Sequence, residues 1–163
     1  MRSATAHVDV MTVPPGLTGT LVLTIVVAAE AAQFATMTSA ADLYAWADGA
    51  VANHTAAGTA RCPLGALVAE VAERDVRLRD ALDRGFERWR DAIRSGLERL
   101  QSHALVRTDR DLDDLAEILL CAYEGGALMS EVRGHTGPLR LALHSAIESM
   151  LMRTPGKGRP HRA

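Results

Sequence analysis

Few side chains in this sequence are placed to do chemistry, and most have a plainer explanation. Cys62 stands directly before Pro63 at an expected helix start, where the positive end of the helix dipole would lower a thiol's pKa, the sharper of two readings being a redox sensor. The competing reading, a small buried or capping residue in a turn, outweighs it. Cys121 falls in an almost wholly apolar helical stretch and reads as packing. Two cysteines make neither a disulfide framework nor a four-ligand zinc site. Of the six histidines, none of His103, His135 and His144 has a His or Cys at ligand spacing, so no metal is expected. Asp113, Asp114 and Glu117 form the acidic opening of a helix, which complements its dipole without assembling an acid–base pair. There is no glycine-rich phosphate loop and no nucleophile motif, so no cofactor is expected and an enzyme is the least supported class. What remains is a set of large side chains, Trp46, Phe86, Trp89, Tyr123 and Met129. They suit the wall of a cavity for a small, largely apolar ligand, although each taken singly leans slightly toward ordinary core.

Those side chains need helices to position them. From Asp75 onward Leu78, Leu82, Phe86, Trp89, Ile93, Leu97 and Leu100 recur at steps of four, four, three, four, four and three, one continuous helical face. Its outer side is expected to pair Asp80 with Arg84, Glu87 with Arg90 and Asp91 with Arg94. Ser39 is placed to cap a helix over residues 40–56 carrying Leu43, Trp46 and Ala50 on one side with Ala47 and Val51 beside them. Pro63 suits the first position of a short helix with Leu64, Leu67, Val68 and Val71. Thr108 followed by Asp111 reads as a capping box for the next helix. That helix carries two apolar stripes. Leu112, Leu115, Leu119, Ala122, Gly126 and Met129 form one, and Ile118, Cys121, Gly125, Leu128 and Val132 form the other; one face serves the subunit's own core and the other wants a partner. A final helix opened by Pro138 offers Leu139, Leu143, Ala146, Ile147 and Met150. No alternating β pattern and no internal repeat are present, and the fold class is all-α.

Length and charge set further bounds. The 163-residue, 17.5 kDa chain is of single-domain size, nearly half apolar, with a formal charge of −2. It is large enough for a real core and has no global pull toward nucleic acid or anionic lipid. Through residue 60 the only Lys or Arg is Arg2, so the first third of the chain is not equipped to grip phosphate. Residues 1–38 read as an irregular segment with a short apolar stretch over 21–29. That stretch is short for a membrane span, which needs about 20 residues, and is a weaker candidate for a signal peptide than for a buried N-terminal helix. Residues 39–153 form the helical domain and residues 154–163 a flexible basic tail. No membrane association is expected and the cytoplasm is the default location.

Taken in order, these segments resemble the TetR-type bacterial transcriptional regulators. The resemblance runs from Ala40 to Met152 through Trp46-Ala47-Asp48, Cys62-Pro63-Leu64-Gly65, Ala69-Glu70, Phe86-Glu87-Arg88-Trp89, Leu115-Ala116-Glu117, Glu124-Gly125-Gly126-Ala127-Leu128-Met129 and Pro138-Leu139. It implies the C-terminal regulatory domain of that family, a helical bundle that binds a small molecule internally and dimerises through its last two long helices. The expected homodimer surface is Ile118, Cys121, Gly125, Leu128, Val132, Leu139, Leu143 and Ile147; the expected ligand wall is Trp46, Phe86, Trp89, Tyr123 and Met129. The residues before Ala40 lack the pattern of a helix-turn-helix, so DNA is a partner only if that module is supplied elsewhere. The rival reading is an interaction protein that keeps the dimer face, pairs with full-length relatives and senses nothing.

Overall fold

The computed structural model describes residues 27–56 and 76–152. Five helices fill these stretches: α1 (residues 27–36), α2 (Ala40–Ala56), α3 (Val76–Ser102), α4 (Leu112–Arg133) and α5 (Gly137–Met150). The expectations for Cys62, for the short helix over Pro63 to Val71, for the Leu78 side chain and for the basic tail lie outside the described residues. No helix among those described is long and apolar enough to cross a membrane.

The sequence dictates most of the helix ends. Ser39 and Asp42 cap α2 reciprocally: the Asp42 amide donates to Ser39 Oγ at 3.3 Å, and the Ser39 amide donates to Asp42 Oδ2 at 2.8 Å. Two first-turn donors are thereby satisfied by side chains. Thr38 adds its own amide to the same oxygen at 2.8 Å, and these donors hold the Asp42 carboxyl below its ordinary range. At α4 the cap is Asp111 rather than Thr108. Its carboxylate accepts from the Asp113 amide at 2.7 Å; a carboxylate two residues before a free N–H needs no longer-range box. Helix α4 stops at Gly134, whose φ of +69° is the left-handed conformation glycine adopts without cost. The amide of His135 closes back on the Ser130 carbonyl at 3.2 Å. Helix α3 ends the same way but with Ala104 at φ +56°, and Leu105 donates to the Leu100 carbonyl at 3.0 Å.

Helices α4 and α5 form an antiparallel hairpin, joined by a turn of three residues. Their close approach is made at Gly126, where an added Cβ would lie 2.8 Å from the Leu139 Cα and 3.2 Å from the Ala142 Cβ. Ser130 is fully buried, and its Oγ accepts from the Leu139 amide at 3.0 Å, capping α5 from the side. At the far end of the hairpin, Val106 and Leu151 form an antiparallel bridge. The Arg107 amide donates to Met150 O and the Met152 amide to Leu105 O, both at 2.9 Å.

The core is continuous. Leu82, Trp89, Ile93, Leu97 and Leu100 of α3 pack with Leu43, Trp46, Ala47 and Val51 of α2, Leu115, Leu119 and Tyr123 of α4, and Leu139, Leu143, Ile147 and Met150 of α5. Sequence reading placed residues 1–38 in an irregular segment whose apolar stretch over 21–29 suited a buried N-terminal helix; residues 27–36 are helical and bury Val27 and Phe34. Phe34 explains the order: it lies against Gly96 of α3, where a Cβ would come within 2.8 Å of its ring, and the Arg99 guanidinium donates to its carbonyl oxygen. The pairs expected along α3 are also rearranged. Arg90 meets Asp91 at 3.3 Å, while Arg94 meets Glu98 at 3.3 Å and reaches across to Asp113 of α4 at 3.2 Å.

Candidate functional site

Four helices bring aromatic rings to one place. Trp46 comes from α2, Trp89 from α3 and Tyr123 from α4, each on the buried stripe that the helical period assigns it. The Tyr123 ring lies 5.0 Å from Trp89 at an interplanar angle of 69°, and 6.1 Å from Trp46. Phe34 of α1 stands 5.0 Å from Trp46 on the other side. His54, from the last turn of α2, sits 5.6 Å from Tyr123 at 72°. Edge-to-face contacts of this kind are worth about 0.5–1.5 kcal/mol each beyond area burial.

The polar atoms of this cluster are unevenly satisfied. The Trp46 indole N–H donates to Glu30 Oε2 at 2.5 Å. Burial pushes the Glu30 carboxyl above its ordinary range and the indole bond offsets part of that rise. The His54 Nδ1 lies 2.8 Å from the Ala50 carbonyl oxygen. By contrast, among the described residues His54 Nε2 and Trp89 Nε1 are buried without a hydrogen-bond partner, and an orphaned buried polar atom costs about 1–3 kcal/mol. The tryptophans, Tyr123 and His54 are all at most 8% exposed, so these atoms do not reach bulk water.

Of the five side chains expected to wall a cavity, the structure therefore gathers Trp46, Trp89 and Tyr123. Phe86 is half-buried against the same core. Met129 is a departure: it is 41% exposed on the outer side of α4, because the turn that buries Tyr123 and Gly126 rotates position 129 away from α3. The neighbouring glycines do not open space beside Tyr123 either. Gly126 is filled by the α5 backbone and Gly125 faces outward. Sequence reading missed His54, Phe34 and Glu30. His54 was within reach, since Trp46, Ala50 and His54 recur every four residues along α2.

A second surface lies on the opposite side of the hairpin. Leu128 is 60%, Val132 74% and, on α5, Leu141 70% exposed. Cys121 and Gly125 are exposed between them and Ile118 is half-buried. Burial, then the neighbouring Glu117, push the Cys121 thiol up, away from thiolate chemistry. The expected surface is corrected on α5: Leu139, Leu143 and Ile147 are fully buried inside the subunit. They pack where this helix meets α4 and α2 and have no area left to offer a partner, and Leu141 is the exposed apolar residue of the helix. Among the described residues no three His, Cys, Asp or Glu side chains gather as a metal site.

The all-helical fold is that of the C-terminal domain of TetR-type transcriptional regulators, as comparison with protein families shows. The chain belongs to the LmrA/YxaF-like transcriptional regulators, the profile of whose C-terminal domain matches residues 39–145, more than half of the sequence. Comparisons with curated proteins and with solved structures give no match.

Proposed function

We propose that this chain is the small-molecule-sensing and dimerising part of its regulator. The observation that carries the sensing reading is a pair of buried nitrogens without a partner among the described residues, Trp89 Nε1 and His54 Nε2, whose rings both lie against Tyr123. Native interiors pair such atoms, and a ligand supplies what the chain leaves unpaired. Its body is held by apolar contact with the rings. Trp46 and Trp89 are the only tryptophans in the chain, so saturable quenching of their emission by an apolar metabolite reports entry. A broad metabolite screen that yields no saturable quenching and no thermal shift overturns sensing.

Dimerisation rests on the face formed by Ile118, Cys121, Gly125, Leu128 and Val132 with Leu141. Apolar side chains this exposed on two adjacent helices, with Gly125 permitting close approach, suit an isologous four-helix contact between two copies. A stable contact buries about 800 Å² per partner. Light scattering is expected to give a dimer at tens of micromolar, an order-of-magnitude choice for a stable interface, and a monomer for Leu141→Arg. A wild-type monomer under those conditions refutes the reading.

A further inference from the structure

The turn from α1 into α2 leaves an open groove of about 190 Å³, lined by Gln33 and Thr36 of α1, Met37 of the turn, and Asp42, Ala45 and Trp46 of α2. A cavity of about 150 Å³ already takes a benzene ring, while drug-sized ligands fill about 300–1,000 Å³, so the groove suits a compact group. Its polar character is one-sided. Among the described residues that line it, Asp42 alone is charged. Asp42 Oδ2 accepts from the Thr38 and Ser39 amides, both at 2.8 Å, and from Thr38 Oγ1 at 3.3 Å. Those neutral donors hold the carboxyl below its ordinary range and so keep it ionised. No arginine, lysine or histidine among the described residues forms an ion pair with it. Thr36 spends its hydroxyl proton on the Gln33 carbonyl at 3.0 Å, and the Trp46 indole spends its N–H on Glu30. The groove is left with an unneutralised carboxylate, hydroxyl lone pairs, the Gln33 amide as its one side-chain donor, and an apolar wall.

We infer that this groove binds a small organic cation, a substituted ammonium whose charge meets the Asp42 carboxylate and whose alkyl groups lie on Met37, Ala45 and the Trp46 ring. A carboxylate beside an aromatic ring attracts such a charge twice over, through the anion and through the ring quadrupole, and the alkyl shell gains apolar contact at the same time. An anion is repelled by Asp42 and finds a single donor. A bare divalent metal ion needs about six oxygen ligands, and no three His, Cys, Asp or Glu side chains gather among the described residues. A neutral molecule leaves the carboxylate without a counter-charge. The groove holds neither of the unpartnered nitrogens, and the inference does not rest on the sensing reading above.

Choline and 3,3-dimethyl-1-butanol share a shape and differ in one atom, a charged nitrogen against a carbon, so the pair isolates the charge. Titrated into the full chain and followed by the proton resonance of their methyl groups, choline should bind about fivefold to thirtyfold more tightly, the range from an exposed to a desolvated contact between cation and ring. Asp42→Asn keeps an oxygen for the Thr38 and Ser39 amides and removes the charge, and should bring that ratio below about twofold. Ala45→Leu, on the exposed side of α2, fills the groove and should weaken choline by about fivefold or more with helix content unchanged. If Asp42→Asn fails to fold, the wild-type ratio and Ala45→Leu decide. Equal binding of the two probes, a preference that survives Asp42→Asn, undiminished binding to Ala45→Leu, or no binding of choline up to about 10 mM overturns the inference.

Discussion

Adjacent glycines on α4 give opposite answers to one substitution. An alanine in a helix interior gains about 1 kcal/mol over glycine, and that is the whole expectation for Gly125→Ala within a subunit, since nothing lies within 4 Å of its added Cβ. At Gly126 the same methyl group would sit 2.8 Å from the Leu139 Cα and 3.2 Å from both the Ala142 Cβ and the Leu139 Cδ1. Comfortable carbon contacts are about 3.5–4.0 Å apart. The nearest atom is backbone, so relief requires α5 to move as a body. Overpacking of this kind costs about 1–3 kcal/mol. Retreat at Leu139 also strains its 3.0 Å bond to Ser130 Oγ, worth about 1 kcal/mol more. The net loss for Gly126→Ala is about 1–3 kcal/mol, or a fall in Tm of several degrees at about 2–4 °C per kcal/mol. Urea and thermal unfolding at several protein concentrations measure both variants. The gain from Gly125→Ala should erode as concentration rises, because a partner helix packed on that face has less room for the methyl. A Gly126→Ala protein as stable as wild type would refute the packing argument, and a concentration-independent Gly125→Ala gain would refute the assigned dimer face.

Five further outcomes are expected. Glu30→Gln keeps an acceptor for the Trp46 indole and removes the ionisation that burial opposes. The raised carboxyl contributes stability below its unfolded pKa of 4.5 that is lost as pH rises through its folded value, so the variant should gain on wild type toward neutral pH in chemical denaturation, and no such gain refutes the burial of that charge. Ser39→Ala should lose about 1 kcal/mol by removing one half of the α2 cap. In Asp42→Asn the acid limb of the stability curve should flatten, since a lowered carboxyl stabilises above its unfolded pKa and fails as pH falls. Ala104→Gly should raise stability by about 1 kcal/mol by relieving a left-handed alanine at the end of α3, read as a shift in the denaturation midpoint. Leu143→Ala should cost about 2–5 kcal/mol, against roughly 0.5 or less for Leu141→Ala in a dilute subunit.

Helical periodicity made α2 to α5 legible because each buries a stripe longer than two turns. Leu82, Trp89, Ile93, Leu97 and Leu100 fall where steps of three and four put them. The same rule locates Trp46, Trp89 and Tyr123 on inward faces without saying that they meet, since that depends on how α2, α3 and α4 cross. It did not bound α1, where one large apolar residue, Phe34, carries the packing instead of a stripe. On α4 two stripes were separable, and of the one expected to turn outward Cys121, Gly125, Leu128 and Val132 are exposed and Ile118 is half-buried. On α5 the strongest apolar residues went to the interior, and a lone Leu141 outside that stripe was the exposed one. His54 was passed over because a histidine amid apolar neighbours carries no motif; its significance lies in an Nε2 that finds no partner, a property of the assembled interior.

The bridge between Val106 and Leu151 turns the segment from 106 to 151 into a closed ring of chain, sealed by amides of Arg107 and Met152. A ring cannot fray from an end. Either the clasp opens first or the two helices must separate together, so the hairpin behaves as one cooperative unit in hydrogen exchange. The clasp amides are then the earliest to exchange if opening starts there, and they exchange in step with Leu139 if it does not. A displacement of α4 is thereby carried to α5 through both ends of the hairpin.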